Sequence, residues 1–234
     1  MPLITASAEQ AQRAAPSIHK VVTPEDISVA SRTLTNGFFD DPVFVWTLPD
    51  EERRRRNLTG LLEVFARPYV RHGESYLTDD ASGAALWLPP GKELVTAEEQ
   101  PEFVQQLEAT AAEDAGRLFE LMEIFDQHHP EGTYRVLQLL AVEPQSQSRG
   151  IGSALIAPGL ARSDQEQVPT YLEATSERSI PFYERHGFEV IGELEVPDGP
   201  TLFAMWRVPS SACTLPRARA LPRPLVGVVA GPGT

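Results

Sequence analysis

LLAVEPQSQSRGIGSALI, residues Leu139–Ile156, passes from an apolar run through a polar segment into a second apolar stretch with a different period. The first run begins at Val136 and Leu137, continues to Val142 and is broken by Pro144. After Gln147, Ser148 and Arg149 the chain resumes at Gly150-Ile151-Gly152 with helical spacing. The reading is strand, glycine loop, helix. Such a junction leaves unpaired backbone N–H groups at the positive end of a helix, and two glycines let a ligand's phosphates come close to the backbone. An anion site and an ordinary strand-to-helix turn are both open readings. Two other phosphate loops fail on their residues. A P-loop needs Lys-Ser/Thr after its second glycine, and neither Gly150 nor Gly152 has that successor; a dinucleotide fingerprint needs a small residue where Leu155 stands.

Outward from this stretch, the spacing predicts a helix from about Gly150 to Gln165, kinked at Pro158, then a strand over Val168–Ala174. Thr175 or Ser176 is placed to cap a short helix ending at Gly187, and strands follow at Phe188–Leu194 and Leu202–Val208 around a Pro197-Asp198-Gly199-Pro200 turn. Upstream, Ile18–Val22 reads as a short strand. Thr23-Pro24-Glu25-Asp26 opens a helix running to about Phe38, with Ile27, Ala30, Leu34 and Phe38 on its buried face. Phe39-Asp40-Asp41-Pro42 ends it as a loop. A second helix follows Asp50 and is disturbed at Pro68. Glu74–Thr78 and Ala84–Leu88 form a hairpin, and Thr96–Asp126 forms two helices divided near Gly116. His128-His129-Pro130 is a loop; adjacent histidines point apart and no spaced ligand set completes a metal site. No metal is expected.

At 234 residues, with 41% hydrophobic and 23% charged side chains, the chain suits one domain with a sizeable core. Residues 1–17 read as a mobile arm, 18–208 as the domain and 209–234 as a flexible tail with five prolines, three arginines and no acids. The N-terminus lacks the pattern of a signal peptide and no apolar run approaches a membrane span, so a cytoplasmic protein is expected. A formal net charge of −13 disfavours nucleic acid and anionic membrane as partners. The run Arg53–Arg56 follows Asp50-Glu51-Glu52 and reads as a solvated helix start. Glu93 to Glu131 carries eleven acids and one base, Arg117, which suits either attraction of a cationic amine or a plain acidic surface. The single Cys213 excludes an internal disulfide framework and has no histidine nearby to make it a nucleophile.

A second informative stretch is YLEATSERSIPFYERHGFEVIG, residues Tyr171–Gly192. Taken with VEPQSQSRGIG upstream, it resembles the GNAT superfamily of acetyl-CoA-dependent N-acetyltransferases. Gln147, Gly150 and Gly152 match that family's pyrophosphate loop, and Tyr183, Gly187 and Phe188 match its closing helix with a tyrosine shortly before Gly-Phe. The resemblance extends from about Ile18 to Val208. LEATSERSIPFYERHGF, EVPDGPTLFAMWR, Phe39–Pro42 and Ala85–Pro90 look like the puromycin N-acetyltransferase-like group. Ser176 departs from the asparagine that many members carry there.

The resemblance implies an α/β fold with a mixed, mostly antiparallel sheet of about seven strands flanked by helices. It implies acetyl-CoA as cosubstrate, held by backbone groups of Leu140, Ala141 and Val142 along the pantetheine arm and by Gln147, Ser148, Arg149, Gly150, Ile151, Gly152, Ser153 and Ser176. A primary amine attacking the thioester must arrive neutral, and CoA leaves as a thiolate that needs a proton. Tyr183 is the candidate acid; its alternative is a core aromatic beside Phe182 and Phe188. Glu173 is the candidate base, directly or through water, or else an outward strand residue. Asp40 and Asp41 either bind a substrate cation or initiate the loop turn. The acceptor is expected to be a small amine, with a protein acceptor or a non-catalytic acyl-CoA sensor as alternatives, and the assembly a monomer or homodimer.

Overall fold

Thr23 begins the first helix as the sequence requires. The Thr23 hydroxyl accepts from the Asp26 amide at 3.1 Å, and the Asp26 carboxylate accepts in return from the Thr23 amide at 3.0 Å. This reciprocal cap, followed by Pro24, satisfies donors that the helix cannot. The computed structural model describes residues 16–210; the expected arm up to residue 15, and Cys213 with the tail from residue 211, lie outside them.

The described chain runs β1 (Ile18–Lys20), α1 (Pro24–Phe38), α2 (Pro42–Thr47), α3 (Glu51–Val70), β2 (Tyr76–Thr78), β3 (Gly83–Leu88), α4 (Gln100–Ala111), α5 (Ala115–His128), β4 (Arg135–Val142), α6 (Ile151–Glu166), β5 (Thr170–Ala174), α7 (Ile180–Glu184), β6 (Glu189–Glu195) and β7 (Thr201–Arg207). Seven strands form one sheet in the order β1-β2-β3-β4-β5-β7-β6, antiparallel except for β4 with β5. The expected mixed α/β architecture is therefore present.

Two local expectations change. Asp40-Asp41-Pro42 does not simply end a helix: Asp41 caps α2 by accepting from the Val43 amide at 2.9 Å, and Pro42 occupies the first turn, where a missing N–H costs nothing. The break between α4 and α5 falls at Ala112, which adopts φ +50°, and not at Gly116. Pro68 and Pro158 lie inside α3 and α6 and end neither helix.

β3 shows how the layers arise. Ala84 and Leu86 pack under α1, α3 and α4, whereas Ala85 and Trp87 pack against α6. Covering on both faces explains why the strand reads as an unbroken apolar run and not as an alternation. Farther along the sheet, Tyr171, Leu202 and Ala204 meet Val43 and Trp46 of α2 and Leu121 of α5.

The basic run at the start of α3 is only partly a solvated surface. Arg54 is buried and donates to the carbonyls of Phe39 and Leu48 at 2.9 and 2.7 Å, which ties both ends of α2 to α3. Arg53 makes two 2.9 Å bonds to the buried carboxylate of Asp114. Only Arg55 and Arg56 remain as the exposed pair that the sequence suggested.

Candidate active site

β4 and β5 pair over two positions only, Arg135 with Thr170 and Val136 with Tyr171. Beyond that point β4 has β3 on one side and no strand on the other. A bulge coincides with the parting: Leu86 opposes Leu139 and Trp87 opposes Leu137, so Gln138 is the extra residue. Bulges bend and twist a strand, which accounts for the divergence. The backbone of Leu139–Val142 thus borders an opening between two parallel strands.

The glycine loop closes one end of this opening. Gly150, at φ +81°, is the N-cap of the sixteen-residue α6 and offers no side-chain cap to its first amides, those of Ile151, Gly152 and Ser153. Ser148 also takes a positive φ of 60°, while Gln147 donates through Nε2 to the Val142 carbonyl at 3.3 Å. Gly150 is needed for its conformation. Gly152 is needed for space of another kind, because a Cβ there would meet the Phe182 ring at 3.1 Å. Helix packing against α7 therefore explains the second glycine without a ligand. Ser176 does not cap through its side chain; its carbonyl accepts from the Ser179 amide and hydroxyl at 3.1 and 2.7 Å.

Thr175 is likewise not a cap. Its hydroxyl donates to Oδ2 of Asp41 at 2.5 Å, joining the end of β5 to the start of α2. Burial is the main influence on Asp41 and raises its carboxyl, partly offset by Thr175 and the Val43 and Phe44 amides. Both carboxylate oxygens are thus engaged inside the protein, and the turn-initiating reading of Asp41 gains a structural partner. Tyr183, on α7, packs edge-on against Phe182 and Phe188 at centroid separations of 5.1 and 5.9 Å. Burial first, and the Asp41 charge second, raise its phenol well above the ordinary tyrosine range, so it stays protonated at neutral pH.

Glu173 is on the same face of β5 as Tyr171, and its side chain is only 4% exposed. Of the two readings left open for Glu173, the outward strand residue does not hold. Its Oε1 lies 3.1 Å from Nε2 of His129, although the two are not aligned as a hydrogen bond. Three phenols feel its charge from different elements: Tyr69 on α3, Tyr134 just before β4 and Tyr171 on β5. Burial is the larger cause in each, and the Glu173 charge adds to it; Tyr134 is pushed up to about 12, and the other two rise further. The rings of His129, Tyr134, Tyr171 and Trp206 form a continuous edge-to-face group with centroids 5.2–6.5 Å apart.

From sequence His129 is a loop histidine weighed only as a metal ligand, and the aromatic enclosure around it is not foreseen. Period-two alternation puts Tyr171 and Glu173 on one strand face, but it leaves Glu173 free to point outward, and Thr175 reads as a helix cap. His129, by contrast, is 44 residues from Glu173 in the chain, and only the parallel crossover from β4 to β5 brings them together. No group of three or more His, Cys, Asp or Glu among the described residues is arranged to hold a metal, and no helix there is long and apolar enough to cross a membrane.

A family model described as an acetyltransferase (GNAT) domain matches residues 90–207, which is 118 of 234 residues. An uncharacterized N-acetyltransferase of Schizosaccharomyces pombe is 26% identical over 192 residues, covering 72% of this chain and 73% of that protein. A mycothiol acetyltransferase of Acidimicrobium ferrooxidans is 32% identical over 79 residues, 32% of this chain and 23% of that one. Among solved structures, histone acetyltransferase HPA2 and related acetyltransferase from Corynebacterium glutamicum aligns with a TM-score of 0.64 at 26% identity, over 86% of this chain and 99% of that one. Arylalkylamine N-acetyltransferase 2 from Aedes aegypti shares the fold, with a TM-score of 0.55 at 18% identity over 82% and 98% of the two chains. With its seven-stranded sheet parted between β4 and β5 and its glycine loop at the head of α6, the chain belongs to the GNAT acetyltransferases, whose cosubstrate is acetyl-CoA.

Proposed function

We propose that this chain is an N-acetyltransferase for a small primary amine, with Glu173 as base and Tyr183 as acid. The observation that carries the reading is the buried, incompletely bonded carboxylate of Glu173 on the strand that borders the opening beside β4. Acetyl-CoA enters that opening. Its pantetheine arm runs along the backbone of Leu140, Ala141 and Val142, while its pyrophosphate takes the amides from Gln147 through Ser153, with Arg149 adding charge and Ser176 near the arm. The unit doing this is the domain of residues 18–208, working in the cytoplasm. The likeness of LEATSERSIPFYERHGF to the puromycin N-acetyltransferase-like group favours a small acceptor.

The acceptor nitrogen gives up a proton to Glu173 and attacks the thioester carbonyl, whose oxygen accepts a backbone N–H of β4 as charge develops. The C–S bond then breaks. Reference values make a phenol about 1.5 units less acidic than a thiol, and burial widens the gap. Transfer from Tyr183 is therefore uphill by at least that gap unless the sulfur is desolvated as well, so the placement of its hydroxyl on the leaving sulfur decides the step.

Free thiol release from acetyl-CoA across a panel of alkyl, arylalkyl and polyamines tests the reading. Tyr183→Phe is expected to lower turnover about 10²–10⁴-fold with CoA affinity within about twofold, whereas full turnover in that variant would remove Tyr183 from the chemistry. Arg149→Glu is expected to weaken CoA binding; unchanged affinity by calorimetry would put the phosphates elsewhere. A second reading, a protein acceptor, draws on the relative called histone acetyltransferase HPA2 and related acetyltransferase at 26% identity. Acetylation of a lysine peptide array with no small-amine turnover would select it.

A further inference from the structure

We propose that His129 is the proton outlet of the site, taking the acceptor's proton from Glu173 and passing it to solvent. This rests on the reading of Glu173 as base. Proton balance creates the need. An ammonium acceptor carries three N–H bonds and its amide product carries one, so two protons leave the nitrogen. One ends on the thiol of CoA through Tyr183. The other must leave a site whose base is almost wholly buried.

His129 is the group built to carry it. Its Nε2 lies 3.1 Å from Glu173 Oε1, and its side chain is 31% exposed against 4% for the glutamate. One imidazole thus spans the distance from the buried carboxylate to water. Its other nitrogen, Nδ1, lies 3.4 Å from the Tyr134 hydroxyl. With Nδ1–H toward Tyr134, the neutral ring presents a lone pair at Nε2 to a protonated Glu173. Once a rotation of the ring brings Nε2 into line with Oε1, the O–H bond of Glu173 breaks, a proton joins Nε2, and the carboxylate is regenerated for the next acceptor. Imidazolium then releases a proton to solvent.

The arrangement also has a loaded state. While His129 is imidazolium it pairs with Glu173 and cannot accept. The groups that face it are Glu173 and Tyr171 on β5, Asp126 on α5 and Tyr134 ahead of β4, with Tyr69 of α3 beyond the carboxylate. Burial works against the charged ring, and Glu173 and Asp126 together more than offset it, which places the midpoint above the ordinary imidazole value. Turnover should therefore rise with pH through that midpoint.

Two measurements on the full chain test the outlet. The His129 ring is titrated by proton NMR in wild type and in Glu173→Gln; the midpoint should fall in the variant, and an unmoved midpoint would show that the pair is not coupled. Thiol release is then followed against pH with saturating acetyl-CoA and the best amine of the panel. His129→Gln should lower kcat about ten- to a hundredfold near pH 7.5 and abolish the wild-type midpoint, with KM for acetyl-CoA little changed. Added imidazole should restore part of the turnover of folded His129→Ala. His128→Gln, whose ring is bonded back to the Ile124 carbonyl, should behave as wild type. A wild-type rate and pH profile in His129→Gln, or no rescue by imidazole, overturns the outlet alone. No thiol release by the wild-type protein with any amine or peptide overturns acetyl transfer and the outlet with it.

Discussion

The hydroxyl of Thr175 holds a carboxylate that has little access to water, so its worth is the cost of leaving Asp41 short of a donor. Removing one partner of a buried charged group costs about 1–3 kcal/mol. Thr175→Val, nearly isosteric, should lower unfolding free energy by about that amount, read as a shift of the urea midpoint at unchanged slope. His129 gives a second residue-level prediction, with a defined sign. Its folded midpoint lies above the unfolded one, so its pairing stabilises fully below about pH 6.5 and is lost as pH rises through the folded value. His129→Gln should therefore cost more stability at pH 6 than at pH 9 in parallel urea titrations. Tyr183 stood out in the sequence because a motif marks it, whereas alternation left Glu173 as either a base or an outward residue, and only its burial removed the second. His129 did not stand out, because a residue in a loop after a helix has no periodicity to say what it meets.

Packing between elements separates the two uses of glycine in α6. Gly159 sits under Trp87, and a Cβ there would lie 2.4 Å from the indole ring, which is fully buried and has nowhere to move. Alanine gains up to about 1 kcal/mol in helix propensity, but overpacking of a filled core costs about 1–3 kcal/mol. The clash wins, so Gly159→Ala should lower the thermal midpoint, whereas a raised midpoint would show that the indole yields. Elements with their own punctuation were readable: Thr23 with Pro24 starts α1, and Gly187, at φ +85°, stops the segment after α7. α2 was missed. Six residues long, it has no apolar period to display, and it is held by Arg54 and by the Trp46 indole donating to the Pro197 carbonyl at 3.1 Å.

Across the whole molecule, the parallel junction of β4 and β5 is anchored by a buried charge. Arg135 is 0% exposed; it pairs with Glu74 and, at 2.6 Å, with Glu166, and its Nε donates to Ser163 at 3.2 Å. Arg162 holds the other oxygen of Glu74 at 2.6 Å. Glu74→Ala leaves Arg135 underpaired in the interior and should cost about 3–5 kcal/mol, measured by chemical unfolding; a loss under 1 kcal/mol would mean that Glu166 alone suffices. Local signals in the chain determined the strands, most helices, the glycine loop and the tyrosine helix, because caps, periods and turn residues act over a few neighbours. Only the tertiary structure decided that β4 and β5 part at Gln138, that Arg53 and Arg54 turn inward, and that His129 meets Glu173. Those contacts join residues far apart in sequence, and they exist only once the sheet order and its bulge have brought distant strands and loops side by side.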